Sequence, residues 1–308
     1  MSLFLQLQPF YYPVTPKFGR GFSKPLRCFV FSNAIHSFSN SKWWCPSYKA
    51  SIKPFCKKDE DTHEEGVFQG FSALGEDCPW ESGNVWSTLA LYMFTLHIPL
   101  SFGGLSVVAL IKHELVLDPQ TEALSLLIVQ ILELYGVLFL LKFTANPHYN
   151  FIKFFKANKS SKDRNWFLAS ALGFGFLVLL VFFTSLIADA IFGPKPVNNP
   201  ILKEILLSSD VSRVACALAY CIVTPLLEEI VYRGFLLTSL SSTKKWQHAV
   251  LISSIIFSAA HFSGENFLQL FVIGYVLGCS YCWTGNLSSS IFLHSLYNAM
   301  AIIITYLY

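Results

Sequence analysis

The amino-acid sequence predicts an all-α protein, a polytopic transmembrane helix bundle of about seven spans behind a disordered N-terminal presequence. Three observations carry that prediction. Hydrophobic residues make up 53% of the 308 and charged residues only 13%, a membrane balance rather than a soluble one. The apolar residues fall in long blocks separated by short polar runs, which a single soluble core would not need. Residues 1–58 contain nine Lys or Arg and no Asp or Glu, so the formal net charge of +3 combines a basic leader with a net acidic remainder.

That leader is rich in Ser and has no continuous apolar core, which fits a plastid or mitochondrial transit peptide better than a secretory signal. Its first apolar run, Leu3-Phe4-Leu5, is interrupted by Gln6 and Gln8 and then by Pro9. Arginine is scarce, Arg20 and Arg27 alone, while Ser and aromatics abound, so a chloroplast membrane, thylakoid or envelope, is the expected address. A mitochondrial or endoplasmic reticulum membrane is the alternative. Residues 59–83 carry eight acids and no Lys or Arg and read as an acidic, solvated N-terminus of the mature chain.

Residues 84–200 hold three spans, at about 86–111, 124–141 and 166–192. Between the second and third, residues 142–164 contain six Lys or Arg against Asp163 alone. The positive-inside rule puts this loop on the side of synthesis, the stroma in a plastid. Residues 201–308 form the second membrane region. Pro200 opens a short amphipathic segment, 201–207, suited to lie along the interface, and Ser209-Asp210 caps a fourth span at about 211–240. Lys244 and Lys245 follow, an even number of crossings after the first basic loop. The last spans are expected at about 246–262, 267–283 and from 288 onward, with Gly285-Asn286 breaking the chain between the final two.

Within the fourth span stand Glu228, Glu229 and Arg233. An unpaired charge in hydrocarbon costs at least about 2.5 kcal/mol, so such residues are normally paired and normally functional. Glu229 and Arg233 are four apart and share a helix face, whereas Glu228 is rotated by about 100° from its neighbour. Glu229 is therefore expected to pair with Arg233, leaving Glu228 to project elsewhere. Pro225 just upstream is expected to kink the helix and open backbone groups to water. The fifth span offers Phe257 and His261 on one face, and the seventh offers His294 and Asn298. Pointing all of these at one another around a wet cavity is the least costly arrangement. A buried carboxylate there suits general-base chemistry on water, and imidazole and amide donors suit orientation of that water or of an oxyanion. Straight, perpendicular helices would not align His261 with His294, so a shared pocket requires helices that are tilted, broken or staggered.

Cys279-x-x-Cys282 has the spacing of a redox motif, but its apolar helical surroundings favour packing. Glu228, His261 and His294 could also form a zinc set of two His and one carboxylate, although no His-Glu-x-x-His helix is present.

Glu228-Glu229-x-x-x-Arg233, Phe257-x-x-x-His261 and His294-x-x-x-Asn298, in that order on successive membrane helices, resemble the three motifs of the CPBP family. These are the CAAX prenyl protease type II and bacteriocin-processing enzymes, also called the ABI domain, and Gly234 after the Arg fits as well. The resemblance covers about residues 201–307. It implies an intramembrane, glutamate-type endopeptidase that works without a cofactor. Glu228 would be the base activating water and His261 would help to hold that water. His294 and Asn298 would stabilise the oxyanion, with Glu229 and Arg233 supporting the site. The expected partners are the lipid bilayer and a membrane protein or peptide substrate, with no nucleic acid. A non-proteolytic scaffold that stabilises or recruits a plastid membrane protein is the competing function.

Overall fold

A computed structural model describes residues 70–307 apart from 75–77, 82, 115, 148–150, 156–163 and 194–198. The expected presequence, 1–58, and residues 59–69 of the acidic segment lie outside the described residues. Every regular element among the described residues is helical. The long helices are α1 (Val85–Lys112), α2 (Pro119–Thr144), α3 (Trp166–Phe192), α5 (Asp210–Ser241), α7 (Phe267–Thr284) and α8 (Leu287–Leu307). Two are shorter, α4 (Pro200–Ser208) and α6 (Trp246–Ala260). Six are long and apolar enough to cross a membrane, and the protein is a multi-pass membrane protein.

Local chemistry sets the helix ends. Asp118 caps α2 by accepting from the Thr121 N–H, with Pro119 at the first helical position, where its missing N–H costs nothing. Asn165 caps α3, Asn199 caps α4 and Ser209 caps α5, each through its side-chain oxygen. Gly285 ends α7 at φ 62°, the left-handed geometry that favours glycine.

The helices fall into an outer and an inner set. On α3, Leu168, Leu172, Phe176, Leu179, Phe183 and Ile187 are exposed at helical spacing, and α2 shows a similar stripe from Leu124 to Phe143. These apolar faces are stable in lipid and not in water. α3 packs on α7 and α8, α2 on α1 and α5, and α5 also meets α6 and α8. A close seam joins α6 to α7 at Gly274 and Gly278, one turn apart. A Cβ on Gly274 would come within 3.0 Å of Phe257 and 3.3 Å of the Ser254 Cα, and one on Gly278 within 3.0 Å of Val250. Small residues four apart let membrane helices approach this closely.

Two expectations about depth and docking are sharpened. α6 has 15 residues, about 22 Å at 1.5 Å per residue, and so falls short of a hydrocarbon core of about 30 Å. It ends inside the bundle, at His261. The turn from α7 into α8 is itself buried, with Thr284, Leu287, Ser289 and Ser290 all shielded. Its polar groups satisfy one another: Thr284 Oγ1 donates to the Ser280 carbonyl, the Ser288 N–H to Asn286 Oδ1, and Ser170 Oγ of α3 to the Ser289 carbonyl. α8 therefore starts deep. His294 is about 10 Å from the α8 start and His261 about 22 Å from the α6 start, yet both reach the same carboxylate, which the stagger of the two helices permits.

Residues 70–74 and 78–81 depart from the solvated segment expected of them. Arg164 clamps this stretch, donating to the carbonyls of Gly70 at 2.7 Å and Phe71 at 2.6 Å and also to that of Trp283 at 2.8 Å. Phe71 stacks on Trp246 at 4.5 Å between ring centroids, and the Ala73 N–H donates to the Cys282 carbonyl at 2.8 Å. Trp80 is buried and donates through Nε1 to the Leu141 carbonyl. The acids counted in this segment hide the aromatic and small residues between them, which insert into the bundle.

Candidate active site

The site is built on α5, which is not uniformly α-helical. It widens to π geometry over Ala219–Val223, ending two residues before Pro225, and again over Ile230–Leu237, directly after the two glutamates. Pro225 has no N–H to offer the carbonyl of Cys221, so a change of winding there removes a conflict that a straight α-helix would keep. Such π segments gather at functional sites because they rotate side chains out of α register. Here they bracket Glu228 and Glu229.

Glu229 and Arg233 are fully buried and paired as expected, with Arg233 Nη1 2.7 Å from Glu229 Oε1. The pair has further partners. Arg233 Nη2 donates to the Gly274 carbonyl at 3.0 Å, and the guanidinium lies 4.5 Å from the centroid of the Phe257 ring. The same Glu229 oxygen takes His294 Nδ1 at 2.9 Å. Glu229 is thus a link that joins Arg233 to His294 and fixes which imidazole nitrogen faces the cavity.

Glu228 projects the other way, into a cavity of about 130 Å³ whose walls include Glu228, His261, His294, Asn298, Tyr232 and His97. That volume holds several waters. His261, the C-cap residue of α6, has Nδ1 2.8 Å from the Phe257 carbonyl. A carbonyl only accepts, so Nδ1 carries the proton and Nε2 is turned to Glu228, 3.8 Å from Oε1. His294, held at Nδ1 by Glu229, likewise turns Nε2 to Glu228, 3.7 Å from Oε2. These gaps exceed a direct hydrogen bond but admit one water at about 2.8 Å from both atoms of a pair. A water between Glu228 Oε1 and the His261 Nε2 lone pair donates both hydrogens and keeps its own lone pairs toward the cavity. Asn298 donates one amide hydrogen to the Tyr220 carbonyl at 2.8 Å and retains a second.

The four residues expected to share a pocket therefore do line one, and Glu229 with Arg233 lies behind it. Phe257 packs at the back, its ring 4.8 Å from that of His261 and 6.2 Å from that of His294. Cys279 and Cys282 are free thiols on α7. Among the described residues, no three or more His, Cys, Asp or Glu side chains are grouped as metal ligands.

Tyr232 and His97 are among the wall residues that escaped the sequence reading. Tyr232 is buried among the residues that line the cavity, and among the described residues its hydroxyl has no hydrogen-bond partner. His97 comes from α1, outside the motif region. Its signal was nonetheless present, because His97 and Glu133 each interrupt an otherwise apolar span, the same anomaly that singled out Glu228.

Residues 210–300 match the family described as Type II CAAX prenyl endopeptidase Rce1-like. All seven motif residues fall inside that match, and α1–α3 fall outside it. The chain is also similar to the membrane-embedded CAAX protease MroQ of Staphylococcus aureus (strain USA300), with 27% identity over 138 residues, 43% of this chain and 55% of that protein. The chain thus spans just over half the length of this relative. No solved structure matches.

Proposed function

We propose, taking the match over residues 210–300 as the premise, that this protein is an intramembrane endopeptidase in which Glu228 activates water. The observation that carries the reading is one carboxylate faced at 3.8 and 3.7 Å by two imidazole Nε2 atoms, each imidazole anchored through Nδ1. Glu228 accepts a proton from the water held against it and His261, and the oxygen adds to the scissile carbonyl carbon. His294 with a proton on Nε2, the second amide hydrogen of Asn298 and the Tyr232 hydroxyl donate to the resulting oxyanion. Glu229 and Arg233 keep His294 oriented. No step uses a metal. The substrate class is a membrane protein or membrane-bound peptide, since the cavity is walled by spanning helices. The acid-free basic leader supports a plastid membrane as the site of action.

The test is cleavage by the purified protein in liposomes, using a quenched fluorescent transmembrane peptide and a farnesylated peptide ending in a CAAX sequence. Glu228→Gln is expected to lower cleavage by about 10²-fold or more while leaving the melting temperature within a few degrees. Cleavage unaffected by Glu228→Gln overturns the role of Glu228. Loss of activity with a chelator, restored by zinc, overturns the metal-free chemistry.

A further inference from the structure

A second acid–base couple reaches the cavity wall through His97 and is built from α1 and α2, which precede the matched region. His97 Nδ1 lies 2.8 Å from Glu133 Oε1. Glu133 is fully buried in α2 and accepts two further hydrogen bonds, from Tyr92 Oη at 2.9 Å and from Ser101 Oγ at 2.8 Å. Two hydroxyl hydrogens are spent on Glu133, which leaves its remaining hydrogen bond to His97 Nδ1, and an acid this deep needs such a partner. His97 is its ion-pair partner, and the His97 side chain is the more exposed of the two, 14% against 1%. Its other nitrogen, Nε2, faces the carbonyl oxygen of Ala260 at 3.4 Å, next to His261. A carbonyl has no hydrogen to give, so both ring nitrogens of His97 face acceptors and both are set to donate. The contact to Ala260 is long, which leaves the Nε2 hydrogen available at the cavity wall.

The local winding supports a functional placement. His97 lies in a π segment of α1, Met93–Phe102, that also contains Pro99. The three π segments of the chain's described residues are thus one around His97 and two around Glu228.

We propose that His97 is the general acid of the cleavage reaction and that Glu133 is its positioning residue. This rests on the peptidase reading of Glu228. After water has added to the carbonyl and its proton has passed to Glu228, the tetrahedral intermediate must expel an amine. The C–N bond breaks with its electron pair going to nitrogen, and the His97 Nε2 hydrogen is transferred to that nitrogen. The oxyanion re-forms a carbonyl, giving the carboxylic acid product. The proton on Glu228 then returns to His97 through cavity water, which restores both groups. No other reactant is needed.

The experiment uses the full chain in liposomes with two probes that share an acyl segment, a quenched peptide amide and a p-nitrophenyl ester. p-Nitrophenolate departs without a proton, whereas an amine does not. His97→Gln is expected to reduce kcat on the amide by about 10²-fold and to change the ester rate by less than about threefold. Glu133→Gln is expected to follow the same split, and Glu228→Gln to lose both probes. Equal loss on both probes, or no loss on the amide while Glu228→Gln is inactive, overturns this inference and leaves the peptidase reading standing. A wild-type protein that cleaves neither probe overturns both. Should His97→Gln fail to fold, ¹⁵N NMR of His97 in the wild-type protein decides. Two protonated ring nitrogens at neutral pH support the acid role, and a single one overturns it.

Discussion

Arg233 makes three interactions that no other side chain supplies together: a charged hydrogen bond to Glu229, another to the Gly274 carbonyl, and a face-on contact with Phe257. Arg233→Ala leaves the buried Glu229 with one partner fewer, so a loss of about 3–5 kcal/mol is expected in a reversible unfolding assay in detergent. Arg233→Lys is expected to rescue little of it, because an ammonium cannot reach both acceptors while lying flat on the ring. Tyr232 and Tyr297 separate chemistry from stability. Both hydroxyls are buried and unpartnered among the described residues, but only Tyr232 lines the cavity. Removing an unpaired buried hydroxyl is neutral or stabilising. Tyr232→Phe is therefore expected to lower cleavage by about 10²-fold at an unchanged or raised melting temperature, and Tyr297→Phe to leave both unaltered. At this scale the sequence was legible where charge in an apolar span made an anomaly: Glu228, Glu229 and Arg233 were found that way. Tyr232 was not, since a tyrosine in a membrane helix is unremarkable until its hydroxyl is seen to lack a partner.

Element boundaries were legible because turn and cap chemistry is local. Ser209 caps α5 and Gly285 ends α7, both as their residue types predict. Changes of helical winding were less legible, since Pro225 marked a defect but not its extent. The seam between α6 and α7 makes a prediction of its own. Gly274→Val is expected to drive Phe257 and the Ser254 backbone away and to displace the Arg233 hydrogen bond. The result is a melting point lowered by the equivalent of about 1–3 kcal/mol and a loss of cleavage. At the start of α2, hydrogen bonds from Thr121, side chain first and then backbone, hold the Asp118 carboxyl below its usual value. A carboxylate with a depressed pKa stabilises above the unfolded value, about 4, and that contribution fades as pH falls through the lower folded value. Hydrogen exchange at the Thr121 amide is expected to quicken, relative to the intrinsic rate, across that acidic window. Asp118→Asn is expected to abolish the step while keeping the cap.

At the scale of the whole molecule, the motif residues lie in α5, α6 and α8, but the cavity is closed by α1 and α2 and the bundle is clasped by residues 70–74 and 78–81. The multi-span architecture was legible from the apolar blocks. The clasp was not, because pairing Phe71 with Trp246 and Trp80 with Leu141 depends on contacts between distant parts of the chain. Trp80→Ala is expected to destabilise the protein by about 3–5 kcal/mol in detergent, which a merely solvated leader would not. The difference between a peptidase and a scaffold also belongs here. A scaffold would keep its function in cells when Glu228 and His294 are replaced by Ala, whereas the peptidase loses it. The most direct measurement is the turnover of a fluorescent transmembrane peptide by purified protein in liposomes, wild type beside Glu228→Gln of equal melting temperature. The account predicts cleavage by the wild type and a loss of about 10²-fold or more in the variant. Equal rates from the two proteins, or no cleavage by either, would contradict it.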